Sequence, residues 1–186
     1  MNAIRFERVR FSQGLGRAPV LEDVSFNVAR GETVALVGPP GAGKNACAHL
    51  LLRLSDPDSG HIRVDGIDVR ELSPTTLRRL IATVPEDIPP FSDTDIANPA
   101  PILIIDETAL KLGIESERAF HQVLKRLRQG RTVLIIAHRP TTIRSADRLV
   151  VLEAGRVVED GTHDSLVNQG GAYARLMASL WFTDTL

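Results

Sequence analysis

An α/β fold with a mainly parallel sheet flanked by helices, and an antiparallel β part on its N-terminal side, is what this sequence predicts. Two observations carry the prediction. Three short runs do not alternate: TVALVG at 33–38, ILIID at 102–106, which ends in acid, and TVLIIAH at 132–138. Such runs belong to strands buried on both faces of a parallel sheet. Helical patterns separate them, and strand–helix alternation of this kind builds an α/β core. The segments 4–11 (IRFERVRF) and 20–28 (VLEDVSFNV) instead alternate apolar and polar residues. They read as strands with one face towards water, the signature of an antiparallel sheet.

The elements follow in order. After the turn at Arg30-Gly31 comes the first buried strand, then a glycine-rich turn and a helix from about 44 to 54. Residues 60–69 form a hairpin turning at Asp65-Gly66, a pair suited to the positive φ angles of a tight hairpin turn. Ser73-Pro74 starts a short helix over 74–80, with serine as cap and proline at the first helical position. A short strand spans 81–84. Seventeen residues with five prolines and no periodicity follow (PEDIPPFSDTDIANPAP), and their loop over 87–100 is expected to be poorly ordered. A helix over about 115–128 turns Phe120, Val123, Leu124 and Leu127 to one face. A second hairpin spans 148–161 with its turn at Ala154-Gly155, and YARLMASLW closes the chain as a helix.

Composition removes several functions. With 22 basic and 23 acidic side chains among 186 residues, the net charge is −1, too little positive charge for phosphate-backbone binding, so no nucleic acid is expected as partner. A hydrophobic share of 43% excludes a disordered chain. The one cysteine, Cys47, excludes an internal disulfide and a cysteine-based zinc site. The five histidines have no metal-ligand spacing. No apolar run is long enough to span a bilayer, and the first residues lack the apolar core of a signal peptide. Service to a membrane would therefore run through a partner.

Residues 38–46 (GPPGAGKNA) carry the strongest chemical signal. They lie between a buried strand and a helix, the setting a phosphate-binding loop requires. Gly38, Gly41 and Gly43 let successive N–H groups converge on an anion, with Pro39, Pro40 and Ala42 spacing them. The helix starting at Lys44, Asn45 and Ala46 adds its positive end, and the Lys44 ammonium reaches the terminal phosphates. The alternative is a glycine-rich connection with no ligand. A phosphate loop normally continues from lysine to serine or threonine, whose hydroxyl ligates Mg²⁺. Here Asn45 follows, and its longer amide fits the tight octahedral shell of Mg²⁺ poorly. Weakened metal binding with phosphate contacts kept is expected.

Asp106-Glu107 ends ILII. Two acids after a strand are commonplace by themselves. Downstream of a phosphate loop, the first can hold the Mg²⁺ shell and the second can polarise an attacking water. His138 ends the next buried strand. By itself it is a turn histidine, but beside the other two motifs it could reach the terminal phosphate from the carboxyl edge of the sheet.

These segments, in the order GETVALVGPPGAGK, DPDSGHIRVDGIDV, VPED, ILIIDE and VLIIAHRPTTIRSADRLVVLEAGRVVEDGTHDSLV, resemble the nucleotide-binding domain of ABC transporters, exporter type, over residues 4 to about 177. The resemblance implies a P-loop NTPase core binding ATP with Mg²⁺ and hydrolysing it to drive export. Residues 38–45 match its Walker A motif and 102–106 its Walker B motif. Glu107 matches the catalytic glutamate and His138 the switch histidine. Glu86 stands where a glutamine is usual; with Asp106 and Asn45 it completes the implied metal set. The implied partners are a transmembrane subunit or domain and a second nucleotide-binding domain, as homo- or heterodimer. The implied place is cytoplasmic, peripheral at the inner face of the membrane.

The departures are specific. Glu86 precedes Asp106 by only twenty residues, and no LSGGQ-like string occurs anywhere. The family's helical subdomain, which engages the membrane partner and carries that signature, is therefore absent, as if it had been excised near 97–99 from one domain over 1–186. After Glu107 the family's small-residue stretch is replaced by TALKLG, and Gln13, with Phe11 nearby, stands where an adenine-stacking tyrosine is usual. Impaired turnover is expected. So are partly wet apolar side chains, lower stability and self-association, if the excision uncovers a face of the sheet. The alternatives are a nucleotide-binding module without turnover and a truncated remnant without function.

Overall fold

The computed structural model describes residues 1–14, 16–84, 100–107, 122 and 124–183. The proline-rich stretch 85–99, with Glu86 and the expected excision point, lies outside them, as do 108–121.

Two sheets form. The first is antiparallel and has the order β2-β1-β4-β5, from β1 (Asn2–Ser12), β2 (Pro19–Ala29), β4 (Ser59–Val64) and β5 (Ile67–Asp68). The second has the order β10-β9-β3-β8-β7-β6. Its strands are β3 (Thr33–Val37), β6 (Ile81–Thr83), β7 (Ile102–Asp106), β8 (Thr132–Ile136), β9 (Arg148–Glu153) and β10 (Arg156–Gly161). All its pairings are parallel except β9 with β10, the hairpin at one edge. This is the predicted class. The three non-alternating runs became β3, β7 and β8, adjacent in the middle of the sheet, where both faces are covered and every apolar side chain is buried.

The covering layers are unlike. Val34, Leu36, Ile104, Leu134, Ile136 and Val150 face α1 (Lys44–Leu51), α2 (Pro74–Leu80) and the antiparallel sheet in one core. Ala35, Val37, Leu103, Ile105, Ile135 and Val151 face a second core. That core holds Leu124 and Leu127, α3 (Pro140–Ser145), α4 (His163–Gln169) and α5 (Ala172–Thr183). Of the predicted helical face at 115–128, only Leu124 and Leu127 are described, and both are buried.

Several local expectations hold. Ser73 caps α2, accepting the Thr76 amide at 3.1 Å. Both hairpins turn through left-handed pairs, Asp65-Gly66 and Ala154-Gly155. The first helix is shorter than predicted and stops at Leu51, because Arg53 turns left-handed (φ 54°) and sends its guanidinium to the Leu72 carbonyl at 3.0 Å. The short helices α3 and α4 add to the predicted elements.

The expected wet apolar face is corrected. Ile81 and Ala82 of β6 and Ile102 to Ile105 of β7 are all buried. The large exposed apolar residues among those described are Met1, Leu54, Ile67, Val158 and Val167, none of them on these strands. The reason is that α1, α2 and the antiparallel sheet cover one face of the second sheet, and Leu124, Leu127 and α3 to α5 pack on the other.

Candidate phosphate-binding site

Parallel neighbours place the candidate residues side by side. β3, β8 and β7 adjoin in that order, with Leu36 paired to Ile136 and Ile136 to Asp106. The residues just past their carboxyl ends therefore lie along one edge: Gly38 after β3, His138 after β8, and Asp106-Glu107 at the end of β7. That edge is where open α/β sheets bind ligands.

The loop after β3 is shaped by its glycines. Gly38, Gly41 and Gly43 have φ of 149°, 78° and 101°. At Gly38 space as well as conformation decides, since a Cβ there would lie 2.1 Å from the Leu152 carbonyl oxygen. Gly43 precedes α1, and no side chain caps that helix. The loop is buttressed from behind, where Gly155 N–H donates to the Ala42 carbonyl at 3.2 Å and Glu22 N–H to Gly155 at 2.8 Å.

Lys44 is 4% exposed. Its ammonium donates to the carbonyls of Gly38 at 2.7 Å and Pro39 at 3.0 Å. Burial pushes its pKa below the ordinary lysine value, and the Asp106 charge opposes that shift. The His138 Nε2 atom is buried and has no hydrogen-bond partner among the described residues. Burial first, and then the Lys44 charge, lower the imidazole pKa, while Glu107 and Asp106 pull it up. A buried orphan nitrogen beside a buried ammonium fits an anion with several oxygens, such as the end of a triphosphate, because it would satisfy both.

The two acids are placed differently. Asp106 is half-buried, and its Oδ2 accepts from the Asn45 side-chain amide at 3.3 Å. Glu107 is 6% exposed. Its Oε2 accepts from the backbone amides of His138 at 2.6 Å and Arg139 at 3.1 Å. Its Oε1 accepts from the Thr142 hydroxyl at 2.5 Å. The carboxylate thus sits at the positive end of α3, whose N-cap, Arg139, supplies no side-chain capping bond. Sequence reasoning missed Thr142, which is fully buried. A signal existed in Arg139-Pro140, since proline favours the first position of a helix.

The fit for Mg²⁺ is poor. Asn45 turns an N–H donor, not an oxygen, on Asp106. No group of three or more histidine, cysteine or acidic residues is arranged for a metal among the described residues. Glu86, the third member of the expected set, lies outside them. Phe11 is buried and Gln13 exposed at the end of β1.

Comparison with known proteins agrees with this geometry. The sequence profile of the family described as ABC transporter matches residues 21–146. The chain belongs to the ABC transporter family. It is 39% identical to the ATP-dependent lipid A-core flippase of Burkholderia pseudomallei (strain 1710b), covering 94% of this chain and 39% of the relative. It is 36% identical to that of Ralstonia nicotianae, covering 93% and 40%. A solved bacterial Atm1-family ABC exporter with ATP bound superposes with a TM-score of 0.83 at 28% identity, over 96% of this chain and 41% of the exporter. The chain thus spans about two fifths of the length of these relatives. The Burkholderia alignment runs over 235 positions, against about 175 residues of this chain (94% of 186), so about 60 positions of the relative have no counterpart here. ABC ATP-binding domains in general use ATP with Mg²⁺. No helix among the described residues is long and apolar enough to cross a membrane.

Proposed function

We infer that this chain is an exporter-type ATP-binding domain that holds ATP in the loop formed by Gly38, Pro39, Pro40, Gly41, Ala42, Gly43, Lys44, Asn45 and Ala46, with little or no turnover. The buried Lys44 ammonium inside a left-handed glycine loop at the carboxyl edge of the sheet carries this reading. His138 would meet the terminal phosphate through Nε2. Mg²⁺, where it enters, would sit with Asp106, Asn45 and Glu86 and neutralise phosphate charge.

Hydrolysis would need Glu107 to turn a water towards the terminal phosphate. Its three accepted hydrogen bonds support weak turnover, since releasing the carboxylate leaves buried donors unsatisfied. The lack of an LSGGQ-like string supports the same reading. In the family that signature grips the partner's nucleotide, and losing one charge-stabilising donor typically costs ~10²–10³ in rate. The 60 or so uncounterparted positions support one domain over 1–186 trimmed near 97–99. A second nucleotide-binding domain that still carries the signature is the fitting partner, in a heterodimer beneath a transmembrane subunit at the cytoplasmic face. The membrane subunit would choose the cargo.

The test is nucleotide binding by calorimetry, followed by turnover. ATP should bind the folded chain and fail to bind Lys44→Ala. A folded sample that ignores ATP, ADP and inorganic phosphate alike would end this reading in favour of a remnant. Turnover abolished by Glu107→Gln in a chain that still melts cooperatively would show a working ATPase. Absence of turnover would leave a nucleotide-binding module, the form of this reading that the engagement of Glu107 favours.

A further inference from the structure

We propose that the side-chain amide of Asn45 takes the place of the divalent cation, so that this chain holds a nucleoside triphosphate without Mg²⁺. The inference rests on the phosphate-loop reading above and goes beyond it, because that reading left the metal weakened, not replaced.

A carboxylate at the end of β7 is an acceptor only, and so is a phosphate oxygen. Something positive or hydrogen-bearing must lie between them, or they repel. A hydroxyl at position 45 would offer its oxygen to a metal and leave that task to the ion. Asn45 performs it directly, since its Nδ2 donates to Asp106 Oδ2 at 3.3 Å. To admit Mg²⁺, the amide would have to present oxygen at roughly 2.1 Å from the ion. The bond to Asp106 would then be lost. Metal and amide therefore compete for one carboxylate.

Lys44 offers the phosphates a fixed positive charge. Lys44 is buried at the floor of the loop, and its present partners are two backbone carbonyls that an anion can displace. It also lies close enough to Asp106 for their charges to interact, so the loop is not left with a bare negative group facing the ligand. The buried Nε2 of His138 adds a further polar partner from the neighbouring strand. The acid that follows Asp106, Glu107, is engaged through both oxygens by His138, Arg139 and Thr142.

The experiment is the affinity of the full chain for ATP, measured by calorimetry in excess Mg²⁺ and again in EDTA. For the natural sequence the two affinities should agree within about twofold. Asn45→Ser restores a hydroxyl at an exposed position, and should tighten binding in Mg²⁺ at least about tenfold over EDTA, the change that one charge-assisted contact brings. Asn45→Thr is the second variant, with the same expectation if the serine variant does not fold. Natural chain that loses tenfold or more in EDTA overturns the proposal. So does a folded hydroxyl variant as indifferent to Mg²⁺ as the parent, because Asn45 would then not be what excludes the ion. Failure of the natural chain to bind ATP in either buffer defeats the phosphate-loop reading itself, an outcome distinct from the other two.

Discussion

Glu107 is bonded through both of its carboxylate oxygens. It follows a strand-ending aspartate, where the family resemblance implies a base. In this structure its two oxygens tie the end of β7 to the start of α3, through two amides and the Thr142 hydroxyl. A hydrogen bond to a charged acceptor is worth about 1.5–3 kcal/mol, and the three that share the Glu107 carboxylate add up to less than their sum. Glu107→Ala should therefore lower stability by about 2–4 kcal/mol in urea denaturation, and Thr142→Val by about 1–2 kcal/mol. If Glu107→Ala melts like the parent, these bonds do not fasten β7 to α3. At Gly38 the constraint is steric: Gly38→Ala would force a Cβ against the Leu152 carbonyl. It should abolish ATP binding even in a fraction that remains folded, which a titration of that fraction would check.

At the scale of elements, the β4–β5 hairpin is fastened by a buried acid. Asp68 accepts from the Arg70 backbone amide at 3.0 Å and its Nε at 2.9 Å, and pairs with Arg70 NH2 and His61 Nδ1, both at 2.8 Å. These donors, Arg70 foremost, hold its carboxyl well below the ordinary value of 3.8. A depressed folded pKa means that the unfolded chain takes up a proton first as acid is added. The stabilisation is present above 3.8 and disappears as pH falls through the lower folded value. The urea midpoint should drop between pH 4 and pH 2, and the drop should be smaller in Asp68→Asn. Equal acid sensitivity of the two would refute the assignment.

The whole molecule is held as two sheets clamped by shared residues. Arg148 of β9 pairs with Glu32 and Asp160 at 2.7 Å each and also donates to the Asn27 carbonyl of β2. Breaking such a part-buried network by Arg148→Met should cost about 2–4 kcal/mol, read from the midpoint of denaturation. Association is the other property at this scale. With no wet apolar face on β6 or β7 and no signature motif to grip a second nucleotide, ATP should not drive this chain into homodimers. Light scattering with and without ATP checks this, and a nucleotide-dependent doubling of mass would contradict it.

The parallel sheet was legible because apolar runs such as ILII and TVLII can be satisfied only where both faces are covered, and that demand is local. The phosphate loop was legible for a similar reason, since its glycines, lysine and neighbouring helix are contiguous in the chain. The engagement of Glu107 was not, because its donors lie 31 to 35 residues away. Nor was the Asn45–Asp106 bond, which joins residues 61 apart. Both contacts exist because β3, β8 and β7 became neighbours. Strand order follows from the competition of many long-range pairings, which no short stretch of residues encodes.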